Sequence, residues 1–528
     1  MLGEMQHWEL RVDTLLDHAA REHGSREVVT KMADGSVERS NWAGIRRDAL
    51  KMVQALRRFG LSPADRVATI AMNHTRHLVS WFGVPGAGGV IHTINPRLFE
   101  DQLDYIVNHA EDRIILYDAV FAPIIERMKP RWKTVEQYIC FDNGEFDAWI
   151  GAEDGDARWT SGSERDPLML CYTSGTTGDP KGVLYEHRSN VLHSFSMISP
   201  AAAALESRSV VLPVVPMFHA SNWGFPWACA AAGAKLVYCQ NNDPQWLCDL
   251  AIDEGVDHIA GVPTIWFAIF QYLEKAGREL PPIKHATSGG SALPRSVIER
   301  LMSAGIRVNH AWGMTETSPV ATMASEPNGW DQMSFDEQVS LKVLQGRAGY
   351  GSQVRAVDLD DPGKELPRDG KSAGALQVRG FWMLKRYFKA DADSVAEDQW
   401  FDTGDVAVIH PDGSVQLTDR TKDVIKSGGE WISSVELENA AVGHPGVAEA
   451  AAIGVAHPRW DERPLLVVVR APGSDISAND LTAYLADLVA KWWLPDAIEF
   501  VDEIPHTATG KISKKDLRKQ FGNYDLGA

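Results

Sequence analysis

Short apolar runs alternate with helical patterns along the N-terminal part of the chain. Residues 113–117, 210–212 and 235–238 form strand-like runs. Residues 53–59 and 297–304 instead place apolar side chains at helical spacing. Because strands that alternate with helices favour largely parallel sheets, this pattern predicts an α/β fold.

The pattern changes after Gly374, where short strands and turns replace the alternation. The turn at 411–413 has the sequence Pro-Asp-Gly, which is typical of a hairpin, and a fresh α/β pattern begins after residues 419–423. We therefore expect a large domain over 1–420 and a smaller one over 421–528. The predicted elements of this part are strands over 406–409, 415–417, 447–455, 465–469 and 498–501 and a helix over 481–491.

Length, composition and charge exclude several classes of protein. A chain of 528 residues with 44% hydrophobic and 23% charged residues predicts a soluble globular protein of at least two domains. No apolar run approaches the roughly 18 residues of a membrane span, and the net charge of −19 argues against a nucleic-acid partner. The five cysteines lack a CxxC pair or a metal-ligand spacing, and we see no signal peptide, so we expect a cytoplasmic location.

One basic cluster lies near the C-terminus of this acidic chain. Taken alone, it predicts a solvated helix face with Leu517 and Phe521 turned inward. Its members are Lys511, Lys514, Lys515, Arg518 and Lys519.

The stretch CYTSGTTGDPKG at 171–182 is the first candidate for chemistry. Successive small residues allow backbone N–H groups to point into one concavity, which can bind an anion. The Walker A spacing does not fit, because Pro180 stands where a glycine is needed and Gly182 follows the lysine. Composition alone leaves a phosphate site and a plain linker open. The side-chain donors of the stretch are Ser174, Thr176, Thr177 and Lys181.

The stretch resembles the signature loop of the adenylate-forming superfamily, which includes acyl- and aryl-CoA synthetases, peptide-synthetase adenylation domains and beetle luciferases. This resemblance implies a large N-terminal domain of α/β subdomains with a small β-barrel, followed by a small mobile α+β C-terminal domain. Further segments resemble the superfamily's motifs in the expected order: GGSALP at 289–294, WGMTET at 312–317, WFDTGD at 400–405, DRTKD at 419–423, KSGGE at 426–430 and PHTATGK at 505–511.

The resemblance implies an AMP-forming reaction in two steps. A carboxylate attacks the α-phosphate of ATP, releases pyrophosphate and leaves an acyl-AMP, from which the thiol of CoA then displaces AMP. Negative charge builds on phosphate in the first step, so the site needs fixed donors, a metal ion and a cation. The implied cofactors and partners are ATP, Mg²⁺, coenzyme A and a small-molecule carboxylic acid.

The resemblance also assigns roles to residues of the nucleotide site. Glu316 and Thr177 would hold Mg²⁺, Thr315 would contact the α-phosphate, and Lys511 would bridge the carboxylate and the nucleotide in the transition state. The residues implied on the phosphates are Thr173, Ser174, Gly175, Thr176, Thr177, Gly178 and Lys181. Those implied on the adenine and ribose are Gly290, Ser291, Ala311, Trp312, Gly313, Asp405 and Arg420.

The C-terminal domain is expected to act in both steps, because members of the superfamily rotate it after adenylation. Lys422 stands at the hinge position, where several relatives carry aspartate. The basic cluster then has a second interpretation, as a contact for the CoA phosphates. The residues implied along the CoA tunnel are Lys426, Gly428, Gly429 and Trp431.

Residues 214–223 resemble the segment that lines the acyl pocket of the superfamily. His219 lies near its middle and is either catalytic or a core histidine. Trp223 resembles the tryptophan that gates the fatty-acid tunnel of some bacterial long-chain enzymes, although an ordinary core aromatic is the alternative. Val262 is expected to line the same pocket, and no cation near these residues offers a partner for a second substrate carboxylate.

The resemblance is strongest to bacterial medium- and long-chain fatty-acyl-CoA synthetases, so we expect a ligase for such an acid. The alternatives are a CoA ligase for a methylmercaptopropionate, aryl-alkanoic or sterol-derived acid, and an acyl-AMP ligase that delivers to a carrier protein. A luciferase-like oxygenase and a non-catalytic nucleotide-binding relative are more distant alternatives. A homodimer is expected, since relatives include dimers.

Overall fold

Four β-sheets organise the described part of the chain. The computed structural model describes residues 3–173, 179–428, 430–506, 512–522, 524 and 526. The predicted site residues at 174–178, Gly429 and Lys511 lie outside the described residues. Among the described helices we find none whose length and hydropathy would suit a membrane crossing.

The first sheet has six strands and carries the CYTSGTTGDPKG stretch. Val90–Thr93 is buried at every position, as a parallel strand covered on both faces must be. The pairing is parallel except between the last two strands, which the stretch connects. The strands lie in the order Gln137–Cys140, Asp112–Tyr117, Arg66–Ile70, Val90–Thr93, Pro167–Tyr172 and Gly182–Glu186.

The second sheet has nine strands, with a parallel centre and antiparallel pairs at its two edges. Its fully buried strand Lys235–Cys239 contains the apolar run predicted at 235–238. The order is Arg347–Ala348, Val320–Met323, Arg307–Gly313, His285–Ser288, His258–Ala260, Val210–Pro213, Lys235–Cys239, Glu27–Lys31 and Val37–Asn41. The predicted α/β alternation is therefore confirmed.

Helices follow most of these strands. The Asn41 side chain accepts a hydrogen bond from the Gly44 N–H at the start of Trp42–Phe59, and Gly60 ends that helix with a φ of 86°. The other α-helices of the described residues are Val12–Glu22, Thr75–Gly86, Glu100–Ala110, Ala122–Met128, Glu145–Gly151, His187–Ile198, Phe225–Ala232, Pro244–Asp253, Pro263–Ala276, Arg295–Ser303, Phe335–Val343, Ser434–Val442, Ala478–Leu485 and Lys514–Phe521. Short 3-10 turns cover Ala119–Phe121, Lys129–Arg131, Thr315–Thr317, Trp330–Gln332 and Lys491–Trp493.

The third sheet occupies the place of the expected β-barrel. It is antiparallel, and its strands lie in the order Ser352–Val357, Ala373–Gly380, Phe401–Ile409 and Val415–Arg420. In the part of the chain that the structure describes, its two outer strands do not pair with each other, so a barrel is not confirmed.

The fourth sheet belongs to the C-terminal part. Its helix Ala478–Leu485 ends earlier than the predicted 481–491, since Lys491–Trp493 forms a separate 3-10 turn. The helix Ser434–Val442 packs against the strand Val447–His457 of this sheet. The strands lie in the order Glu430–Ile432, Ile425–Ser427, Asp461–Arg470 and Val447–His457, and Ala497–Phe500 runs parallel to Asp461–Arg470.

Buried neutral histidines make stability depend on pH. Burial lowers the pKa of His77, His187 and His193 to about 3 in the folded chain. The unfolded chain takes up a proton on each near its ordinary pKa, so stability is lost as the pH falls below about 6.5. We expect each to contribute up to about 1.4 kcal/mol per pH unit below pH 6. Urea midpoints at pH 7.5 and pH 5.5, values we choose to bracket about 6.5, measure the loss.

The matched variants for this measurement are His187→Gln and His7→Gln. His187 accepts from the Val12 N–H inside the protein, whereas the His7 side chain is 89% exposed. The buried substitution should flatten the pH dependence and the exposed one should leave it unchanged. Equal slopes for both variants would contradict the assignment of the pH dependence to the buried rings.

Candidate active site

The acyl and adenine candidates follow the carboxyl ends of four neighbouring parallel strands. This edge of an open α/β sheet is where ligands bind, because the loops there can converge on one crevice. His219 and Trp223 follow Val210–Pro213, Val262 follows His258–Ala260, Gly290 and Ser291 follow His285–Ser288, and Thr315 and Glu316 follow Arg307–Gly313.

Thr173 and Lys181 meet at the base of the CYTSGTTGDPKG stretch. The Thr173 N–H donates to the Lys181 carbonyl oxygen at 2.9 Å. The Lys181 ammonium lies 4.9 Å from the centroid of the Tyr387 ring, a cation–π contact. Tyr387 thus connects Lys181 to a segment that the sequence pattern did not single out.

Glu316 is a buried carboxylate, only 6% exposed. The Tyr387 hydroxyl donates to Glu316 Oε1 at 2.7 Å. Burial raises the pKa of Glu316, while the Tyr387 hydrogen bond and the charges of Arg420 and Lys181 oppose that shift. Thr315 lies beside it, and its carbonyl oxygen accepts from the Tyr185 hydroxyl at 2.7 Å.

This donor set fits a magnesium ion that also holds phosphates. Mg²⁺ keeps several waters and takes one or two carboxylates plus substrate phosphates, rather than a cage of protein ligands. Within the described residues, no cluster of three or more His, Cys, Asp or Glu side chains could hold a metal. Glu316, whose hydrogen-bond partner Tyr387 also contacts Lys181, is a carboxylate that fits such an ion.

Trp312 and Asp405 are joined directly, which the sequence does not reveal. The Trp312 Nε1–H donates to Asp405 Oδ2 at 3.0 Å, across 93 positions of sequence. Arg420 Nε lies 3.2 Å from the other oxygen of the same carboxylate. The residue expected on the adenine and the two expected on the ribose therefore form one connected row.

The Gly289–Gly290 pair packs against the strand that carries Trp312. A Cβ at Gly289 would lie 2.7 Å from the Ala311 carbonyl oxygen, and Gly290 has a φ of 82°. Both positions therefore require glycine. Ser291 follows on the exposed side.

Trp223 and Val262 flank Gly290 from the acyl side. A Cβ at Gly290 would lie 3.5 Å from Val262 Cγ1 and 4.0 Å from Trp223 Cζ2. Trp223 is 7% exposed and belongs to the main apolar core, against which Val262 packs. The candidate acyl and adenine residues are thus neighbours at Gly290.

The backbone that carries Trp223 is left-handed. Ala220–Gly224 has positive φ at each residue, between 43° and 79°. A bulky residue such as Trp rarely adopts this conformation, so the surroundings must hold it. Asn222 donates through Nδ2 to the Val215 carbonyl oxygen, and half-buried His219 immediately precedes the turn.

Asn73 holds the loop before this turn from the other large sheet. Its Nδ2 donates to the carbonyl oxygens of Pro213 and Val215 at 3.2 and 2.8 Å, and its Oδ1 accepts from the Met217 N–H at 2.6 Å. The two sheets are therefore connected through polar contacts beside the acyl candidates.

The CoA-tunnel candidates share one hairpin of the C-terminal sheet. Lys426 and Trp431 pair across Ile425–Ser427 and Glu430–Ile432, with the ammonium 5.1 Å from the indole centroid. Gly428 has a φ of 61°, and a Cβ there would lie 2.7 Å from the Trp460 ring. Trp460, which is 40% exposed, is a neighbour of this hairpin that sequence patterns did not identify.

Two members of the basic cluster have partners inside the protein. Lys514 Nζ lies 2.8 Å from Glu438 Oε1, and Arg518 Nη2 donates to Asp423 Oδ1 at 2.6 Å. Arg518 also donates to the Lys422 carbonyl oxygen at 3.2 Å. These two cations therefore connect the last helix to the helix Ser434–Val442 and to residues 422–423, which neither interpretation of the cluster anticipated.

Two family models and two full-length relatives match this chain. The family model described as AMP-binding enzyme matches residues 16–388, and the AMP-binding enzyme C-terminal domain matches residues 436–511. The chain is 44% identical to a medium-chain-fatty-acid–CoA ligase of Ectopseudomonas oleovorans, over 99% of this chain and 98% of that protein. It is also 44% identical to a 3-methylmercaptopropionyl-CoA ligase of Ruegeria lacuscaerulensis, over 99% of each chain.

A solved structure supports the fold. The ATP-bound MatB of Rhodopseudomonas palustris has a TM-score of 0.82 at 25% identity, and the match covers 97% of this chain and 99% of that one. The architecture of a large N-terminal α/β part with a smaller C-terminal part is thus shared. With the family matches and full-length relatives, this establishes that the chain belongs to the AMP-binding enzyme family and is an AMP-forming acyl-CoA ligase that uses ATP and CoA.

Proposed function

We propose that this ligase activates a medium- to long-chain fatty acid. The observation that carries the proposal is that Trp223 and Val262 both lie next to Gly290, within 4.0 Å of where its Cβ would be, as parts of one apolar cluster. An acid bound along this wall would have its carboxylate next to the nucleotide and its hydrocarbon chain against apolar side chains. The relative of equal identity that takes 3-methylmercaptopropionate makes that acid the second candidate.

The proposed first step joins the acid to the nucleotide. A carboxylate oxygen bonds to the α-phosphorus of ATP, and the bond to the leaving pyrophosphate breaks. Lys181 and the loop at 174–178 would bind the β- and γ-phosphates, Thr315 the α-phosphate, and Glu316 with Thr177 would hold Mg²⁺. The ion would supply positive charge at the phosphates, and Lys511 would place a cation between the acid and the nucleotide.

Trp312, Asp405 and Arg420 would make the remaining nucleotide contacts. Asp405 has two carboxylate oxygens, which suit the two ribose hydroxyls. The indole of Trp312 would offer its face to the adenine, and its N–H would orient Asp405. Arg420 would add a contact to the ribose or a phosphate.

The proposed second step uses the other face of the C-terminal unit. We assign residues 1–420 to the adenylation unit and 421–528 to the mobile unit, with Lys422 at the hinge. The CoA thiol attacks the acyl carbonyl, and AMP leaves with the bonding electrons. Lys426, Gly428, Gly429 and Trp431 would line the path of the pantetheine arm, and a homodimer remains our expectation.

A panel of carboxylic acids tests the substrate. We expect pyrophosphate and AMP release with Mg-ATP to be highest for straight-chain acids of medium or greater length. AMP turnover should require CoA, because the acyl-adenylate otherwise stays bound. The panel includes short straight-chain, aryl-alkanoic and methylthio acids, each with and without CoA.

The other outcomes identify the alternatives. If the enzyme turns over a methylthio or aryl-alkanoic acid but no fatty acid, the proposed fatty-acid substrate is wrong. The ligase reaction itself would still stand. Pyrophosphate release without CoA-dependent turnover would favour delivery to a carrier protein.

A further inference from the structure

A short segment at 384–388 connects the phosphate loop with Glu316. The Leu384 N–H donates to the Glu316 carbonyl oxygen at 2.7 Å. The Phe388 N–H donates to the Gly182 carbonyl oxygen at 2.8 Å. Because Gly182 belongs to the six-stranded sheet and Glu316 follows a strand of the nine-stranded sheet, this segment fixes the distance between the two walls of the nucleotide site.

The side chain of Tyr387 also connects Glu316 with the phosphate loop. Its hydroxyl donates to Glu316 Oε1 at 2.7 Å, and its ring lies 4.9 Å from the Lys181 ammonium. One side chain therefore contacts both the carboxylate expected to hold the metal and the lysine expected to bind the outer phosphates. The two contacts use different parts of the tyrosine, the hydroxyl and the ring, so substitution can separate them.

A hydrogen bond to a carboxylate restricts its rotation. Glu316 is buried, and a carboxylate that must meet a metal ion in one orientation benefits from a donor that fixes one of its oxygens. The ring of Tyr387 meanwhile keeps the long Lys181 side chain on the side of the site where Glu316 lies. The neighbouring Phe401 ring, 6.4 Å away by centroids, supports the tyrosine from the third sheet.

We propose that Tyr387 is a positioning residue of the nucleotide site: its hydroxyl orients Glu316 for Mg²⁺ and its ring orients Lys181 for the phosphates. The inference rests on the proposed function only in the assignment of Glu316 to the metal and of Lys181 to the phosphates. Tyr387 acts through these two side chains and takes no part in bond making.

The test compares Tyr387→Phe with Tyr387→Leu. The first probe is Mn²⁺, whose binding is followed by water proton relaxation. The second is α,β-methylene-ATP, in which a methylene group replaces the oxygen between the α- and β-phosphorus atoms, so that the reaction cannot cleave it. For Tyr387→Phe we expect Mn²⁺ affinity in the presence of the analogue to fall about 10- to 100-fold, the range for loss of a hydrogen bond to a metal ligand. Metal-free affinity for the analogue, measured calorimetrically with EDTA, should stay at the wild-type value, since the ring remains.

For Tyr387→Leu we expect the same loss of Mn²⁺ affinity and a further effect. Metal-free affinity for the analogue should fall about two- to fivefold, the range that an exposed cation–π contact supports. The matched control is Tyr524→Phe, which removes a hydroxyl that donates to Glu499 in the C-terminal part. It should change neither affinity.

Wild-type Mn²⁺ affinity in Tyr387→Phe would overturn the role of the hydroxyl, and wild-type metal-free affinity in Tyr387→Leu would overturn the role of the ring. Glu316→Gln, measured in parallel, separates these failures from those of the proposed function. If Glu316→Gln binds Mn²⁺ as the wild type does, the metal assignment itself is wrong. The acid panel remains an independent test of the substrate.

Discussion

Lys511→Ala is expected to lower the rate of acyl-adenylate formation about 1,000-fold. The carboxylate and the α-phosphate both carry negative charge, and their approach concentrates that charge in the transition state. A lysine that bridges them stabilises this state more than the ground state, and loss of one such fixed donor costs about 10²–10³ in rate. Pyrophosphate release from Mg-ATP with a saturating acid measures the effect.

Lys511→Ala is expected to slow acyl-adenylate formation without affecting ATP binding or the CoA-dependent step. ATP affinity should stay within about twofold of the wild type, because a contact that Lys511 makes only in the transition state does not contribute to binding of ATP in the ground state. CoA-dependent release of AMP from supplied acyl-AMP should also persist. The control is Lys491→Ala, an exposed lysine of the same part of the chain. Equal rates for both variants would remove Lys511 from the reaction.

Glu316→Gln should lower pyrophosphate release about 100-fold at fixed magnesium. Glutamine keeps the size of the side chain and an oxygen for the Tyr387 hydroxyl, but it removes the negative charge that binds a cation. The magnesium concentration needed for half-maximal rate should rise, and high magnesium should recover part of the rate. A magnesium titration of both proteins measures this.

The control for Glu316→Gln is Glu397→Gln, an exposed carboxylate near the third sheet. It should leave the magnesium dependence unchanged. Thermal unfolding separates loss of charge from loss of fold, because burial of Glu316 makes its charge unfavourable and glutamine should not lower the midpoint. A lowered rate with an unchanged magnesium requirement would argue against Glu316 as a metal ligand.

Local patterns predicted several central strands because these have consecutive apolar residues. The runs 113–117 and 235–238 each have consecutive apolar residues after one cation, and they lie in strands with buried centres. That the acyl and adenine candidates follow strands ending at one edge emerged only from the structure. The β-barrel was not confirmed, since apolar strands and turns do not determine whether the two outer strands pair.

Contacts between distant segments could not be predicted in this way. Tyr387 meets Glu316 across 71 positions, and nothing near Tyr387 in the sequence indicates it. The sequence pattern predicts solvated charges at Lys514 and Arg518, because their partners, Glu438 and Asp423, lie in distant segments of the chain. The sequence did not predict left-handed backbone at Trp223 either, because bulky residues rarely adopt it.

The left-handed turn Ala220–Gly224 restricts how the proposed acyl wall can change during evolution. Right-handed backbone is favoured by about 1–2 kcal/mol per non-glycine residue, so the turn depends on Asn222, Asn73 and the packing around them. An inserted or deleted residue would break that support and move Trp223 away from Gly290. New acid preferences in descendants of this chain should therefore arise by exchange of side chains at constant loop length.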